Sequence, residues 1–225
     1  MQLNVKDLSR LLNVTERTIY RWIKQESIPY YRIHDQYRFN RVEILDWATA
    51  KKINISQGIL CDVNEDSAAA LSLKETVKKG GIHYRVEGKD KKSLLSAVID
   101  LLSLPEDIKK ESLVGAMLIR EELGSTGFGD GIAIPHARYP VVTHIPHAIV
   151  SICFLEEPLE YGAIDGKPVH CLFTLISPTV RSHLKMLSRI AFVLKDTNVK
   201  DALISQKSRE VILAAIGEAE QLLGG

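Results

Sequence analysis

The chain has 225 residues, 45% of them hydrophobic and 25% charged, which is enough for one large or two small globular domains with a sizeable core. The formal net charge of +1 hides an uneven distribution: residues 1–52 carry ten Lys/Arg against six Asp/Glu, and the remainder carries 19 against 22, so a basic first quarter and a mildly acidic remainder point to two units with different partners. No apolar run approaches the ~20 residues that span a bilayer as a helix, the first residues show no signal-peptide pattern, and Cys61, Cys153 and Cys171 form no CxxC pair, so neither a zinc ribbon nor a disulfide framework is indicated and a cytoplasmic protein is expected.

The first predicted helix shows Val5, Leu8, Leu11 and Leu12 on one face. Asn13-Val14 interrupts it, and Thr15 is an N-cap for a second helix, Glu16 to about Gln25, which buries Ile19 and Ile23 with Trp22 alongside. After Pro29, the run Tyr30 to Phe39 is rich in aromatic and β-branched residues around His34-Asp35-Gln36, the pattern of a hairpin. Asn40 is placed to cap a third helix holding Val42, Ile44, Leu45 and Trp47. Residues 51–69 show no clean period and are expected to be a linker, with a short extended piece at 53–55.

The second unit opens with a short helix at 71–79 ended by Gly80-Gly81, followed by an alternating strand at 82–86. Amphipathic helices are predicted at 91–102 and 108–123, apolar strands at about 131–134, 148–155 and 169–176, and closing helices at 183–194, 199–204 and 208–223. Loose alternation of helices and strands predicts an α/β layered domain. Cys153 and Cys171 lie in apolar runs, the setting of buried thiols.

Helix, short turn, helix, hairpin and helix form the grammar of a winged helix-turn-helix. The second helix must be apolar on one side and polar-basic on the other. Its outer face is Glu16, Arg17, Thr18, Tyr20, Arg21 and Lys24. Arg and Lys neutralise phosphates, and Arg can bond a guanine edge through two donors; Arg32 and Arg38 would extend these contacts from the wing. The plain alternative is a solvated basic face. Residues Asp7 to Lys24, with Tyr37-Arg-Phe39 and Arg41 to Trp47, closely resemble excisionase/MerR-type winged helix-turn-helix domains over about residues 1–50. The resemblance implies double-stranded DNA as a partner, read by Glu16–Gln25. The long dimerisation helix that follows this domain in MerR proteins is not visible, which leaves operator symmetry open.

The densest signal lies at Gly124-Ser-Thr-Gly-Phe-Gly-Asp-Gly-Ile-Ala-Ile-Pro-His136-Ala-Arg138. Proline restricts both itself and the residue before it, so His136 emerges from a stiff step beside a glycine-rich loop whose N–H groups can form an anion-binding concavity. That combination suits a histidine held out as a nucleophile, an imidazole that must be neutral, partly exposed and held in one tautomer. The stretch resembles the phosphorylation-site signature of the phosphotransferase-system enzyme IIA domain, of the mannitol/fructose and nitrogen-regulatory branch. There the histidine of Ile-Pro-His-Ala carries the phosphoryl group. The segment Ser182-His-Leu-Lys-Met-Leu187 resembles that family's His-Leu-x-x-Leu segment and implies that His183 lies beside His136. Ser182 is read as the N-cap of its helix, so that helix N–H groups favour a phosphate, or else His183 is only a capping residue. Arg120 of Met117-Leu-Ile-Arg-Glu121 resembles the family's Arg-Glu pair. It stands as a phosphate-site arginine or an exposed helix arginine. Thr126 and Ser125 stand as hydroxyl donors to a phosphoryl oxygen or as turn formers. Asp165-Gly-Lys-Pro-Val169 matches a structural turn of the family. His170 departs from the pattern's apolar residue, either as a buried, hydrogen-bonded histidine or as a modification of the site.

The enzyme IIA resemblance covers about residues 70–225. It implies a mixed sheet flanked by helices, phosphorylated on His136 by phospho-HPr or its nitrogen-branch paralogue, without a cofactor. Gly127-x-Gly-x-Gly131 lacks the spacing of a dinucleotide loop, no Walker A sequence occurs, and Gly-Ser-Thr-Gly is not a nucleophile elbow. A metal site from His136, His144 and His147 is disfavoured by Pro146. The expectation is a regulator with a DNA-binding domain at 1–50, a linker at 51–69 and a phosphoryl-carrier domain at 70–225. A subunit passing phosphate to a sugar permease component, and a DNA-binding protein with a phosphotransfer-silent sensing domain that binds a ligand or regulatory protein, are the competing readings.

Overall fold

The computed structural model describes residues 2–33, 36–40, 43–44, 47–48, 51, 53, 72–140, 142 and 145–223. They fall into two compact units, one within 1–67 and one within 68–225.

In the first unit β1 (Gln2–Leu3) leads into α1 (Val5–Leu11), and α2 (Glu16–Lys24) is followed by β2 (Tyr31–Ile33) and β3 (Gln36–Asn40). Asn4 and Asp7 close a reciprocal capping box at the start of α1. The turn between the helices includes Asn13 at φ 50°, a conformation asparagine tolerates better than most residues. The Thr15 side chain then accepts the Thr18 N–H to start α2. The strands form an antiparallel sheet in the order β1-β3-β2. Leu8, Leu11, Leu12, Ile19, Ile23, Ile28, Phe39, Ile44 and Ala48 are buried. Glu43, Ile44, Trp47 and Ala48 are helical, and Trp47 meets Trp22 edge to face at 5.1 Å. Asn40 ends β3; Val42, Leu45, the turn residues His34 and Asp35, and most of the expected linker lie outside the described residues.

The second unit runs α3 (Leu73–Gly80), β4 (Ile82–Val86), α4 (Lys91–Leu101), α5 (Lys110–Glu122), β5 (Gly127–Gly129), β6 (Ile132–Ala133), β7 (Ile149–Leu159), β8 (Val169–Ile176), α6 (Val180–Val193), α7 (Thr197–Ile204) and α8 (Arg209–Gln221). Its mixed sheet has the order β4-β7-β8-β6-β5. β4 is parallel to β7 and β6 to β8, whereas the β7–β8 and β5–β6 pairs are antiparallel. Helices cover both faces, so the central strands are apolar on both sides. Val150, Ile152 and Phe154 of β7 and Cys171, Phe173 and Leu175 of β8 pack with α3, α6, α7 and α8. Cys153, Leu155 and Leu172 face the opposite side with α4, where α5 adds Leu113, Val114 and Met117. Each such buried Leu, Ile or Phe contributes roughly 1.5–3 kcal/mol. Both Cys153 and Cys171 are buried free thiols, and burial pushes the Cys153 thiol up to about 12.

Two elements differ from the sequence expectation. The glycine loop contains a strand, β5, joined to β6 by Asp130 and Gly131, both at positive φ (55° and 73°). This is the backbone that a two-residue hairpin connection requires. Helix α6 starts at Val180, not at His183, because Thr179 is its N-cap and Ser182 closes the box from the third helical position. The exposed N–H groups of that helix start are therefore one turn earlier than expected, and the His183 N–H is already bonded to the Thr179 carbonyl at 2.9 Å.

Candidate functional site

His136 follows β6 at a step pinned from both sides. The Ile134 N–H bonds to the Thr126 carbonyl at 3.0 Å, and the Pro135 carbonyl accepts from Leu175 of β8 at 3.0 Å. The His136 ring Nδ1 lies 2.7 Å from the Ile134 carbonyl oxygen. A carbonyl can only accept, so Nδ1 carries a hydrogen, and a guanidinium can only donate, so the Nε2 that faces Arg120 carries the lone pair. Arg120 Nε points at that lone pair from 3.2 Å, and its Nη1 donates to the Gly124 carbonyl at 2.9 Å. The ring is thus held in one orientation, with its lone-pair nitrogen against the Arg120 guanidinium. It is more enclosed than the sequence suggests, with 4% relative exposure, and Arg120 lies against its Nε2 edge. Arg120 is itself buried and not a solvated helix arginine.

His183, also buried, stands with its ring 5.3 Å from that of His136 and tilted by 59°. Its Nδ1 is 3.0 Å from the Ser177 hydroxyl, in the segment joining β8 to α6. The Thr126 hydroxyl, read from sequence either as a donor to a phosphoryl oxygen or as a turn former, donates to Glu121 Oε2 at 2.6 Å. The Ser125 hydroxyl donates to the Tyr161 carbonyl at 2.7 Å. Both hydroxyls fold the loop. Gly127 packs its Cα face against Ala163, where a Cβ would lie 2.6 Å from the Ala163 Cα. His170 lies half-buried beside Gly131, and burial holds its imidazole below the usual histidine range.

Glu121, quoted from sequence only as the second residue of the Arg-Glu pair and given no role, belongs to this site, as do Lys91 and Ser177, which were not singled out. The Glu121 carboxylate is buried and accepts from the Thr126 N–H (3.0 Å), the Thr126 hydroxyl and the Lys91 ammonium (2.8 Å). Its signal was available: buried positions on α5 are Leu113, Val114, Met117, Arg120 and Glu121. Two charged residues therefore sit on the core-facing stripe, where charges occur only with partners. Among the described residues no group of three or more His, Cys, Asp or Glu is arranged to hold a metal ion, and no helix is long and apolar enough to cross a membrane. His144 lies outside the described residues.

In the first unit α2 buries Ile19 and Ile23 and exposes Arg17, Tyr20, Arg21 and Lys24. Thr18 is half-buried and shares a hydroxyl contact of 3.0 Å with the N-cap Thr15. Tyr20 meets Tyr37 of β3 edge to face at 6.1 Å, so the helix and the wing present one surface. Arg32 is exposed on β2, and Arg38 on β3 donates to Gln36.

Residues 75–219 match the model of the family described as "Phosphoenolpyruvate-dependent sugar phosphotransferase system, EIIA 2", and residues 3–52 match that of a helix-turn-helix domain. A nitrogen regulatory protein of Pseudomonas aeruginosa is 32% identical over 67% of this chain and 97% of its own length. A nitrogen regulatory protein of Klebsiella oxytoca is 34% identical over 70% of this chain and 96% of its own. The crystal structure of nitrogen regulatory protein IIA-Ntr from Neisseria meningitidis superposes with a TM-score of 0.56 at 29% identity, covering 64% of this chain and 98% of that one. The chain belongs to the EIIA 2 family of the phosphoenolpyruvate-dependent sugar phosphotransferase system, has nitrogen regulatory proteins among its relatives, and carries a helix-turn-helix domain ahead of the EIIA 2 domain.

Proposed function

We propose that this chain is a cytoplasmic, phosphorylation-controlled DNA-binding regulator. His136 takes a phosphoryl group from a phosphohistidine donor, HPr or its nitrogen-branch paralogue. The observation that carries the reading is the His136 ring itself, with Nδ1–H on the Ile134 carbonyl and Nε2 facing Arg120. In the transfer, Nε2 attacks phosphorus as the donor's N–P bond breaks, and the leaving electron pair stays on the donor's imidazole. Both rings keep the proton on their other nitrogen, so only the phosphoryl group moves. Such a step depends on positioning and on stabilising charge on the three peripheral oxygens. Arg120 turns from the lone pair to a phosphoryl oxygen, and His183 supplies a second polar group from the other side. Arg17, Arg21, Lys24, Arg32 and Arg38 contact DNA phosphates or base edges, with Thr18 and Tyr20 on the same face; phosphorylation or donor docking then biases that binding.

Incubation with phosphoenolpyruvate, enzyme I and HPr or its paralogue is expected to place acid-labile label on the protein and none on His136→Ala. Absence of label from every donor would replace this reading with a DNA-binding protein whose second domain senses a partner.

A further inference from the structure

We propose that Glu121 is a positioning residue for phosphoryl transfer, acting on His136 through Thr126; this rests on the reading of His136 as the acceptor. Arg120 and Glu121 are consecutive residues at the end of α5, both buried, and they approach the same imidazole from its two nitrogens. Arg120 reaches Nε2 directly. Glu121 reaches the Nδ1 side in three steps. Its carboxylate takes the N–H and hydroxyl of Thr126, the Thr126 carbonyl takes the Ile134 N–H, and the Ile134 carbonyl takes the His136 Nδ1–H.

Each relay residue enters by its N–H and leaves by its own carbonyl, so the links pass through a Cα and not through one shared peptide group. The effect is therefore one of position. Glu121 fixes where Thr126 and Ile134 stand, and Ile134 fixes the tautomer and tilt of His136. The same clamp closes the short loop 121–126 and so places Gly124, whose carbonyl is the second anchor of Arg120. Lys91 supplies the counter-charge at 2.8 Å while resting on the Tyr161 ring, 4.6 Å from its centroid. A carboxylate with 4% side-chain exposure requires such a partner, because an uncompensated buried charge is costly. An apolar pair would hold a loop as well; an ionised pair with two further donors holds it in one geometry.

The test compares Glu121→Gln, Thr126→Val and Thr126→Ser in the full chain by single-turnover transfer from phospho-HPr and by ¹⁵N NMR of the His136 ring. Glutamine keeps the shape, but it offers one acceptor oxygen in place of two and leaves the Lys91 ammonium without its carboxylate partner. Misplacement of reacting groups by about 1 Å costs up to ~100-fold. We expect Glu121→Gln to slow transfer at saturating donor by about ten- to a hundred-fold with the donor KM unchanged, and to mix the two His136 tautomers. Thr126→Val is expected to do the same more weakly, and Thr126→Ser to recover most of what valine loses. A folded Glu121→Gln protein with the parental rate and a single Nδ1–H tautomer overturns the proposal. If Glu121→Gln does not fold, equal rates and tautomers in the valine and serine variants overturn it instead. Absence of label on the parental His136 would defeat the acceptor reading alone, since the tautomer measurement still decides whether Glu121 positions the ring.

Discussion

Arg120 meets His136 before any phosphate arrives, and this sets the size of its expected contribution. In the resting site its Nε bonds to a neutral ring nitrogen at 3.2 Å, an interaction of the class that contributes about 0.5–1.5 kcal/mol net. Bonded to a charged phosphoryl oxygen, the same donor belongs to the class of about 1.5–3 kcal/mol. Only the difference, about 1–1.5 kcal/mol, accelerates transfer, because a group that stabilises both states equally leaves the rate unchanged. Arg120→Lys loses the fork that serves Nε2 and the Gly124 carbonyl together. It is therefore expected to transfer roughly tenfold more slowly, measured as single-turnover label uptake at saturating donor; a rate equal to the parent would mean that the guanidinium only covers the ring. His136 was legible as a residue because proline and the glycine loop isolate it in the sequence. The donors around it were less so: spacing does not tell that the Thr126 hydroxyl turns to Glu121, since that depends on how α5 ends.

At the scale of elements, periodicity located the helices and the central strands, and local hydrogen-bond competition moved their ends. Thr179 and Ser182 are both N-cap residue types. The first wins because its side chain takes the Ser182 N–H at 3.1 Å while the Ser182 hydroxyl approaches the Thr179 N–H at 3.3 Å, closing the box at the earlier position. β5 escaped notice because Gly127-Phe-Gly129 has no alternating β-branched residues; the Asp130-Gly131 pair was its only signal. No local pattern announces the contact that fastens α3. Glu220 of α8 accepts from the Leu73 and Lys74 N–H groups at 2.6 and 2.9 Å, and Arg189 of α6 pairs with it at 3.1 Å. One carboxylate with 9% side-chain exposure thus satisfies the free N–H groups of one helix start and the charge of another helix. Removing one partner of such a pair typically costs 3–5 kcal/mol when fully buried; with Arg189 at 23% side-chain exposure, about 2–3 kcal/mol is expected for Glu220→Ala. Urea unfolding followed by circular dichroism measures it. A loss within experimental scatter of zero would show that water replaces the carboxylate at the start of α3.

For the whole molecule, the division of charge suggests that its two chemistries can be separated by mutation. The basic side chains proposed to contact DNA lie on α2 and the wing, whereas the His136 and His183 imidazoles and their partners lie in the second unit. A cation that contacts a phosphate contributes one released counterion, so its removal reduces the slope of log K against log[salt] by about one. Arg17→Gln and Lys24→Gln are each expected to weaken operator binding and to flatten that slope by about one while label still enters His136. His136→Ala is expected to do the reverse, with no label and the parental slope. If the two functions communicate, phosphorylation of the parental protein shifts operator affinity, and the same treatment of His136→Ala does not. The added phosphoryl group carries about −1.5 to −2 charge, and such a charge acts over only about 8 Å at physiological salt. A shift that disappears as salt is raised would therefore reflect direct repulsion of DNA phosphates. A shift that persists would require a change in how the two units are disposed. Titrations of both phosphorylation states at two salt concentrations distinguish these outcomes, and identical affinities throughout would mean that the fusion joins two independent activities.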